Sequence, residues 1–268
     1  MNLKLKLLIP SFLLLLLIYL YFIIFNNGAN YTYAYINIQK DLFFFLNNKL
    51  SQYPNLQFNL TQLGDVIIFF PFLSIFIIYA PKVWDALLIS AIISLIVSAT
   101  LKKLFAVPRP AAIFNNDSFS IIGKTLTGHT SLPSGHSIAT FIVITIVLYA
   151  FMPKKHKKLW YIFMLLLGLI IAFSRVGVGA HYPLDVIIGS TIGYIVTIIG
   201  IKISNVVNLF SCIKNKKNYP IFMLVLAVWS FFIIKKIIDL NLPIFYISLL
   251  ALVVTLYLIT STYVKKTN

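Results

Sequence analysis

Eight stretches of this 268-residue sequence are apolar for long enough to cross a bilayer as helices, at approximately 6–25, 65–81, 85–101, 135–152, 159–175, 184–204, 220–235 and 243–263. A helix needs about 17–25 apolar residues to span the hydrocarbon core. Backbone polar groups inside lipid have only each other as partners, so a chain with this pattern is expected to fold as helices. The expected class is all-α: a polytopic transmembrane helix bundle of six to eight spans, the short Lys235 to Leu242 connection leaving the last two least defined. A hydrophobic content of 60% agrees, against about 45–50% for a soluble domain. The first stretch is longer than the roughly 7–15-residue core of a signal peptide and no small-residue cleavage site follows, so it is expected to stay as an anchor.

Lys and Arg outnumber Asp and Glu by 22 to 6, a formal net charge of +16. No soluble basic domain carries this surplus, so a nucleic-acid partner is not expected. It collects instead in loops: Lys4 and Lys6, Lys82, Lys154, Lys155, Lys157 and Lys158, Lys202, Lys214, Lys216 and Lys217, and Lys265 and Lys266. If every stretch crosses, all of these share one side, which the positive-inside rule makes cytoplasmic, with both termini. A multi-pass location in the inner (plasma) membrane is expected, with loops 26–64, 102–134, 176–183 and 236–242 facing the periplasm or outside. Three units are expected: an anchor helix with an interfacial segment (1–64), a core (65–204) and C-terminal transmembrane helices (205–268). Within 26–64 the run Asp41 to Leu46 suggests a helix lying at the membrane surface, serving lipid entry or simply connecting.

All six acidic residues are Asp, scattered at 41, 65, 85, 117, 185 and 239, and Glu is absent. Two-metal hydrolases cluster carboxylates and histidines around ions about 3.5–4 Å apart; no such cluster is present, and no metal or cofactor is expected. The single cysteine, Cys212, has lysines but no arginine nearby to cradle a phosphate, and is a poor candidate nucleophile.

Against this background the only two arginines, Arg109 and Arg175, both fall on the side that should be poor in basic residues. A single arginine there could be an interfacial anchor with its head group in the phospholipid. Two of them, each beside further polar groups, point to an anion site. In KKLFAVPRP, Lys102 supplies a point charge and Arg109 a planar fork of donors, a pairing suited to a dianionic phosphate. In PSGH, Pro133 is expected in the first turn of a helix, with the backbone N–H groups of Ser134 and Gly135 aimed at an anion; without His136 the same tripeptide reads as a plain turn. In SRVGVGAHYPLD, Pro183 is expected to open a helix whose first turn holds Asp185, its carboxylate folded back toward His181. Asp on one ring nitrogen fixes the tautomer and raises the basicity of the other, making His181 a candidate nucleophile.

These three groups resemble the signature of the type 2 phosphatidic acid phosphatase superfamily, also called the lipid phosphate phosphatase and haloperoxidase superfamily. Lys102 with Arg109-Pro110 is similar to its first motif, Pro133-Ser134-Gly135-His136 to the second, and Ser174-Arg175 with His181 and Asp185 to the third, so the resemblance covers 102–185. It implies an active site at the extracytoplasmic membrane interface, where His181 attacks phosphorus to form a phosphohistidine and Asp185 orients it. His136 would protonate the leaving alcohol and later activate water. Lys102, Arg109, Ser134, Gly135 and Arg175 would bind the phosphate oxygens. Ser174 would be a supporting contact, and Pro110 and Pro133 would shape the backbone.

The implied activity is metal-independent hydrolysis of a phosphate monoester or diphosphate from a phosphorylated membrane lipid. Lipid A phosphate, undecaprenyl diphosphate, phosphatidylglycerol phosphate and phosphatidic acid are all candidates. Alternatives of the same architecture are a lipid phosphotransferase, a small-molecule phosphatase of the glucose-phosphate kind, and a non-catalytic lipid-binding protein, which would be expected to lack His136, His181 or Asp185. Asp117, Lys124 and His129, in the long 111–132 loop, are candidate head-group contacts. His156, among four lysines, is read as a solvated loop residue.

Overall fold

Apolar runs become helices throughout the computed structural model, which describes residues 5–25, 31–207, 212 and 215–264. Among the described residues there are thirteen α-helices and no strands: α1 (Ile9–Phe25), α2 (Tyr31–Asn37), α3 (Lys40–Ser51), α4 (Pro54–Gln62), α5 (Val66–Phe69), α6 (Phe76–Tyr79), α7 (Pro81–Phe105), α8 (Pro110–Ile113), α9 (Gly135–Ala150), α10 (Lys157–Gly177), α11 (Pro183–Val206), α12 (Tyr219–Leu240) and α13 (Pro243–Val264). Six candidate spans are long and apolar enough to cross a membrane, and α9 is a shorter apolar helix beside them. The protein is an all-helical membrane protein.

At the centre is α11, packed against α7, α9 and α10. Its glycines let it approach that closely. A Cβ on Gly189 would lie 2.6 Å from the Ser134 carbonyl and on Gly193 2.5 Å from the Ile138 carbonyl, and on Gly200 it would run into Ser90 Oγ. Lipid gives helices no hydrophobic reason to associate, so small residues that bring backbones together supply the packing. At the periphery, α1 and α12 bury little of their length inside the protein, whereas α11 buries most of its own.

One expected span is corrected. The stretch 65–81 is not a continuous helix but a chain of single turns, α5, a 3₁₀ turn at Phe70–Leu73 and α6. Pro71 lies inside it, removing a donor and obstructing the preceding turn. The carbonyls released by the break find partners: Ser248 Oγ of α13 donates to Ile68 O at 2.9 Å and Trp229 Nε1 of α12 to Ile67 O at 2.9 Å. This is how a broken helix survives at membrane depth. Together α4 and the segment 66–73 make a bend of 80°.

The two ends of the bundle differ in charge. Lys82, in the first turn of α7, donates to Ser204 O near the end of α11 at 2.7 Å, so Lys82, Lys202 and the Lys154 to Lys158 loop gather at one end. Lys102, Arg109, Arg175 and His181 lie at the other. Lys4, Lys214, Lys265 and Lys266, expected with the first group, fall outside the described residues.

Candidate active site

Four chain segments meet at the end of the bundle that holds the arginines. The last turn of α7 carries Lys102, and Ala106 ends that helix in the left-handed region at φ 44°. Arg109 follows in extended conformation, as a residue before proline must. Its backbone N–H donates to Gly128 O at 3.0 Å, and Ser131 N–H donates to Val107 O at 2.9 Å, tying this strap to the 128–131 loop. Pro110 is buried and opens α8.

The loop between α10 and α11 turns at Gly179, whose φ of +75° and contact with Ser120 O, 2.6 Å from where a Cβ would be, leave room for glycine alone. The N–H groups of Ala180 and His181 both donate to Arg175 O, at 3.0 and 3.3 Å, so the loop is wrapped on the last turn of α10. Pro183 opens α11 as expected, and Asp185 Oδ2 accepts from Tyr182 N–H at 2.9 Å, folding back over the helix start.

His181 is held at both ring nitrogens. Nδ1 lies 3.3 Å from Asp185 Oδ2, and Nε2 lies 3.3 Å from Arg109 Nη1. Arginine has no acceptor, so Nε2 must be the lone-pair nitrogen and Nδ1 must carry the proton toward Asp185. Burial pushes the His181 pKa well below the ordinary imidazole value, and Arg109, Arg175 and Lys102 add to this, while the Ser131 carbonyl opposes it. An uncharged imidazole therefore faces a cluster of cations. Arg109 is held in place by Ala180 O at 3.1 Å and Thr130 Oγ1 at 3.4 Å. Arg175 is 7% exposed, and its Nε has no protein partner, a donor left for an anion.

PSGH differs from expectation in detail. Pro133 precedes the helix rather than occupying its first turn: α9 begins at Gly135 with Ser134 as its cap, Ser134 Oγ accepting from Ser137 N–H at 3.3 Å. Ser134 N–H is not free for an anion, because it donates to Asp185 O at 3.1 Å. That bond joins the start of α9, which carries His136, to the start of α11, which follows His181. Gly135 lies beside the lysine, and a Cβ there would sit 3.6 Å from Lys102 Nζ. Ser174 is buried, and its Oγ donates to Ile171 O of its own helix at 2.6 Å. Asp117, Lys124 and His129 are exposed on the loop. Among the described residues no group of three or more His, Cys, Asp or Glu side chains is placed to hold a metal ion.

Sequence reasoning missed a layer of neutral groups, Ser131 together with several from residues 31–64. Tyr35 Oη donates to Asp185 Oδ1 at 2.7 Å and Ser131 Oγ to Asp185 Oδ2 at 2.6 Å. Arg175 Nη1 donates to Thr61 Oγ1 at 2.6 Å. Gly64 lies so close to His136 that a Cβ would be 2.6 Å from the histidine Cβ. Asn47 fastens the layer, donating to Val176 O and Ser120 O at 3.0 Å each and accepting from Ser120 N–H at 2.8 Å. The apolar run expected to be a surface helix is α3, with Phe43 buried among Phe114, Phe119 and Tyr182 while Leu42 and Phe45 face outward.

Comparison with known proteins gives a consistent result. Residues 82–208 match the model of the PAP2 superfamily. Undecaprenyl-diphosphatase of Sulfolobus acidocaldarius is 26% identical over 174 residues, which cover 63% of this chain and 80% of that protein. Phosphatidylglycerophosphatase B of Bacillus subtilis is 30% identical over 122 residues, 42% of this chain and 54% of that protein. Among solved structures, LpxE of Aquifex aeolicus superposes with a TM-score of 0.52 at 25% identity, covering 62% of this chain and 95% of that one.

Proposed function

This chain belongs to the PAP2 superfamily through its residues 82–208, and from that premise we propose that it hydrolyses a phosphate monoester or diphosphate on a membrane lipid through a phosphohistidine, with no metal. Like its named relatives it is a phosphatase acting on lipid phosphates. The observation that carries the mechanism is the state of His181, whose Nδ1 is committed to Asp185 and whose Nε2 lone pair faces Arg109. An anionic phosphate drawn in by Lys102, Arg109 and Arg175 would bring its phosphorus to that lone pair.

Nε2 attacks phosphorus as the bond to the lipid oxygen breaks, and His136 delivers a proton to that oxygen. Asp185 stabilises the positive charge that appears on the ring. Water then attacks the phosphohistidine, giving its proton to His136, and the P–N bond breaks to release inorganic phosphate and restore the lone pair. Lys102, Arg109 and Arg175 balance the phosphoryl charge in both steps, with Gly135 leaving space in front of Lys102 and Ser134 locking the start of α9. The scattered aspartates support the metal-independent reading.

The reading also places the active site outside and both termini inside, because the lysine-rich end of the bundle is the one opposite the site. A tag after Asn116 would then be accessible from outside and one after Lys155 only from the cytoplasm; the reverse pattern would put the site on the cytoplasmic face. The function itself is tested by phosphate release from purified, detergent-solubilised protein with excess chelator. The substrates are polyprenyl diphosphate, phosphatidylglycerol phosphate, phosphatidic acid and lipid A phosphate. Release from at least one of them under chelation is expected, and release that requires added metal would overturn the mechanism.

A further inference from the structure

Asp185 carries its hydrogen bonds unevenly. Oδ2 receives Ser131 Oγ at 2.6 Å, Tyr182 N–H at 2.9 Å and His181 Nδ1 at 3.3 Å, whereas Oδ1 receives Tyr35 Oη at 2.7 Å. Tyr35 comes from a helix 150 positions away and is 1% exposed. A carboxylate held at one oxygen can swing about its Cβ–Cγ bond; a donor on the second oxygen stops that rotation and keeps Oδ2 on the imidazole. The tyrosine is itself fixed. Its ring lies 5.5 Å from that of Phe22 and 6.1 Å from that of Tyr31. Gln39 donates to Tyr35 O at 2.8 Å and accepts from Leu184 N–H at 2.9 Å, pinning α2 to the first turn of α11. Burial and the nearby Asp185 raise the Tyr35 pKa well above the ordinary phenol value, so the hydroxyl keeps its proton across any practical assay range.

A parallel arrangement exists on the phosphate side. Thr61 is 3% exposed and accepts from Arg175 Nη1 at 2.6 Å, while Arg175 Nε is left unpartnered. Thr61 thus occupies one edge of the guanidinium and leaves another for a ligand. Gly64, three residues on, packs against His136, so α4 cannot slide without disturbing both groups.

We propose that Tyr35 and Thr61 are positioning residues of the reaction, Tyr35 for the nucleophilic half by holding Asp185 on His181, and Thr61 for the phosphate-binding half by aiming Arg175. This rests on the phosphohistidine reading above. It makes residues 31–64 part of the active centre rather than a connector. The two halves separate kinetically: loss of the phenol hydroxyl weakens stabilisation of the imidazolium formed on attack, whereas loss of the threonine hydroxyl loosens a ground-state phosphate contact.

The test uses the full chain in detergent with the lipid phosphate it turns over best, comparing wild type, Tyr35→Phe, Thr61→Val, Thr61→Ser and His181→Ala. Tyr35→Phe is expected to lower kcat roughly tenfold to a hundredfold with little change in KM, as a lost hydrogen bond to a charged group implies. Its acid limb of activity should begin at higher pH, because a carboxylate with one donor fewer takes up a proton more readily. The groups facing His181 are Lys102 from α7, Arg109 from the following loop, His136 from α9, Arg175 from α10, Asp185 from α11 and, through Asp185, Tyr35 from α2; all but Tyr35 are unchanged in that variant. Thr61→Val should raise KM and the inhibition constant of inorganic phosphate about tenfold with the acid limb in place, and Thr61→Ser should restore both.

A Tyr35→Phe protein with wild-type kcat and acid limb would overturn the assignment of Tyr35, and a Thr61→Ser protein as impaired as Thr61→Val would overturn that of Thr61. Should Tyr35→Phe not fold, the Thr61 pair decides alone. Turnover by His181→Ala would sink the underlying phosphohistidine reading; an inactive His181→Ala beside wild-type behaviour in the other variants would sink only this inference.

Discussion

Residues 102–185 and residues 31–64 both send side chains to one centre, but of opposite kinds. The first segment contributes cations, two imidazoles and a carboxylate, with the Ser131 hydroxyl as its one neutral brace on Asp185. The second contributes a phenol and a hydroxyl that hold ionic groups and carboxamides that fasten the backbone around them, none of these charged. Tyr35 and Thr61 each bond to a charged side chain that faces the site. The difference teaches that, in an apolar chain, charge marks where the chemistry is, while the groups that aim it can be neutral and anonymous.

The comparison breaks most sharply at His181. His181→Ala is expected to lose about 10⁴-fold or more in turnover while remaining folded in the membrane, read by phosphate release beside an unchanged gel-filtration profile. Normal activity would show that the charged segment has no special chemical role. Next comes His136→Ala, expected to slow turnover by about 10²–10⁴-fold. Acid-labile phosphate should build up on the protein, since water loses its base; an unslowed variant would remove His136 from the mechanism.

The neutral segment is probed by Asn47→Ala, which strips three carbonyl contacts and one N–H contact that fasten α3 to the loops of the site. A cost of about 2–3 kcal/mol in stability is expected, with activity falling because Tyr35 and Thr61 ride on the same segment. Full activity with full stability would make this layer a passive cover.

A smaller effect should appear on acidification. His181 is uncharged in the fold because burial lowers its pKa, whereas in the unfolded chain it takes up a proton near about 6.5. The unfolded state therefore gains protons first, and stability should fall by up to about 1.4 kcal/mol for each pH unit below that value. Thermal midpoints measured across pH 5–7, with His181→Ala as the reference lacking the group, check the sign. The smallest effect is expected for His129→Ala: the residue is exposed on the 111–132 loop, and kcat and KM should stay within about twofold. A large change in KM would return that loop to the list of head-group contacts.

Several features are legible in the sequence. Apolar length announced the helices, and the rarity of charge made two arginines and a His-Asp pair conspicuous against a lysine-rich opposite side. Other details were out of reach. Pro71 could have warned that the stretch 65–81 would break, but nothing local says that Trp229 and Ser248 would take up the freed carbonyls. Gly189 and Gly193, four residues apart, were a visible small-residue face, yet which helix they admit is a matter of packing. Ser134 N–H was expected to serve an anion and instead joins two helices, since its acceptor, Asp185 O, is distant in sequence.

By itself the sequence determined the helical membrane class and the charged constellation, because hydrophobic length and ionisable groups in an apolar chain each have few affordable placements. Only the tertiary structure decided that Asp185 is braced by Tyr35 and Arg175 by Thr61. Tyrosine and threonine are at home almost anywhere in such a chain, and a hydrogen bond between groups 114 or 150 positions apart leaves no periodic or local trace.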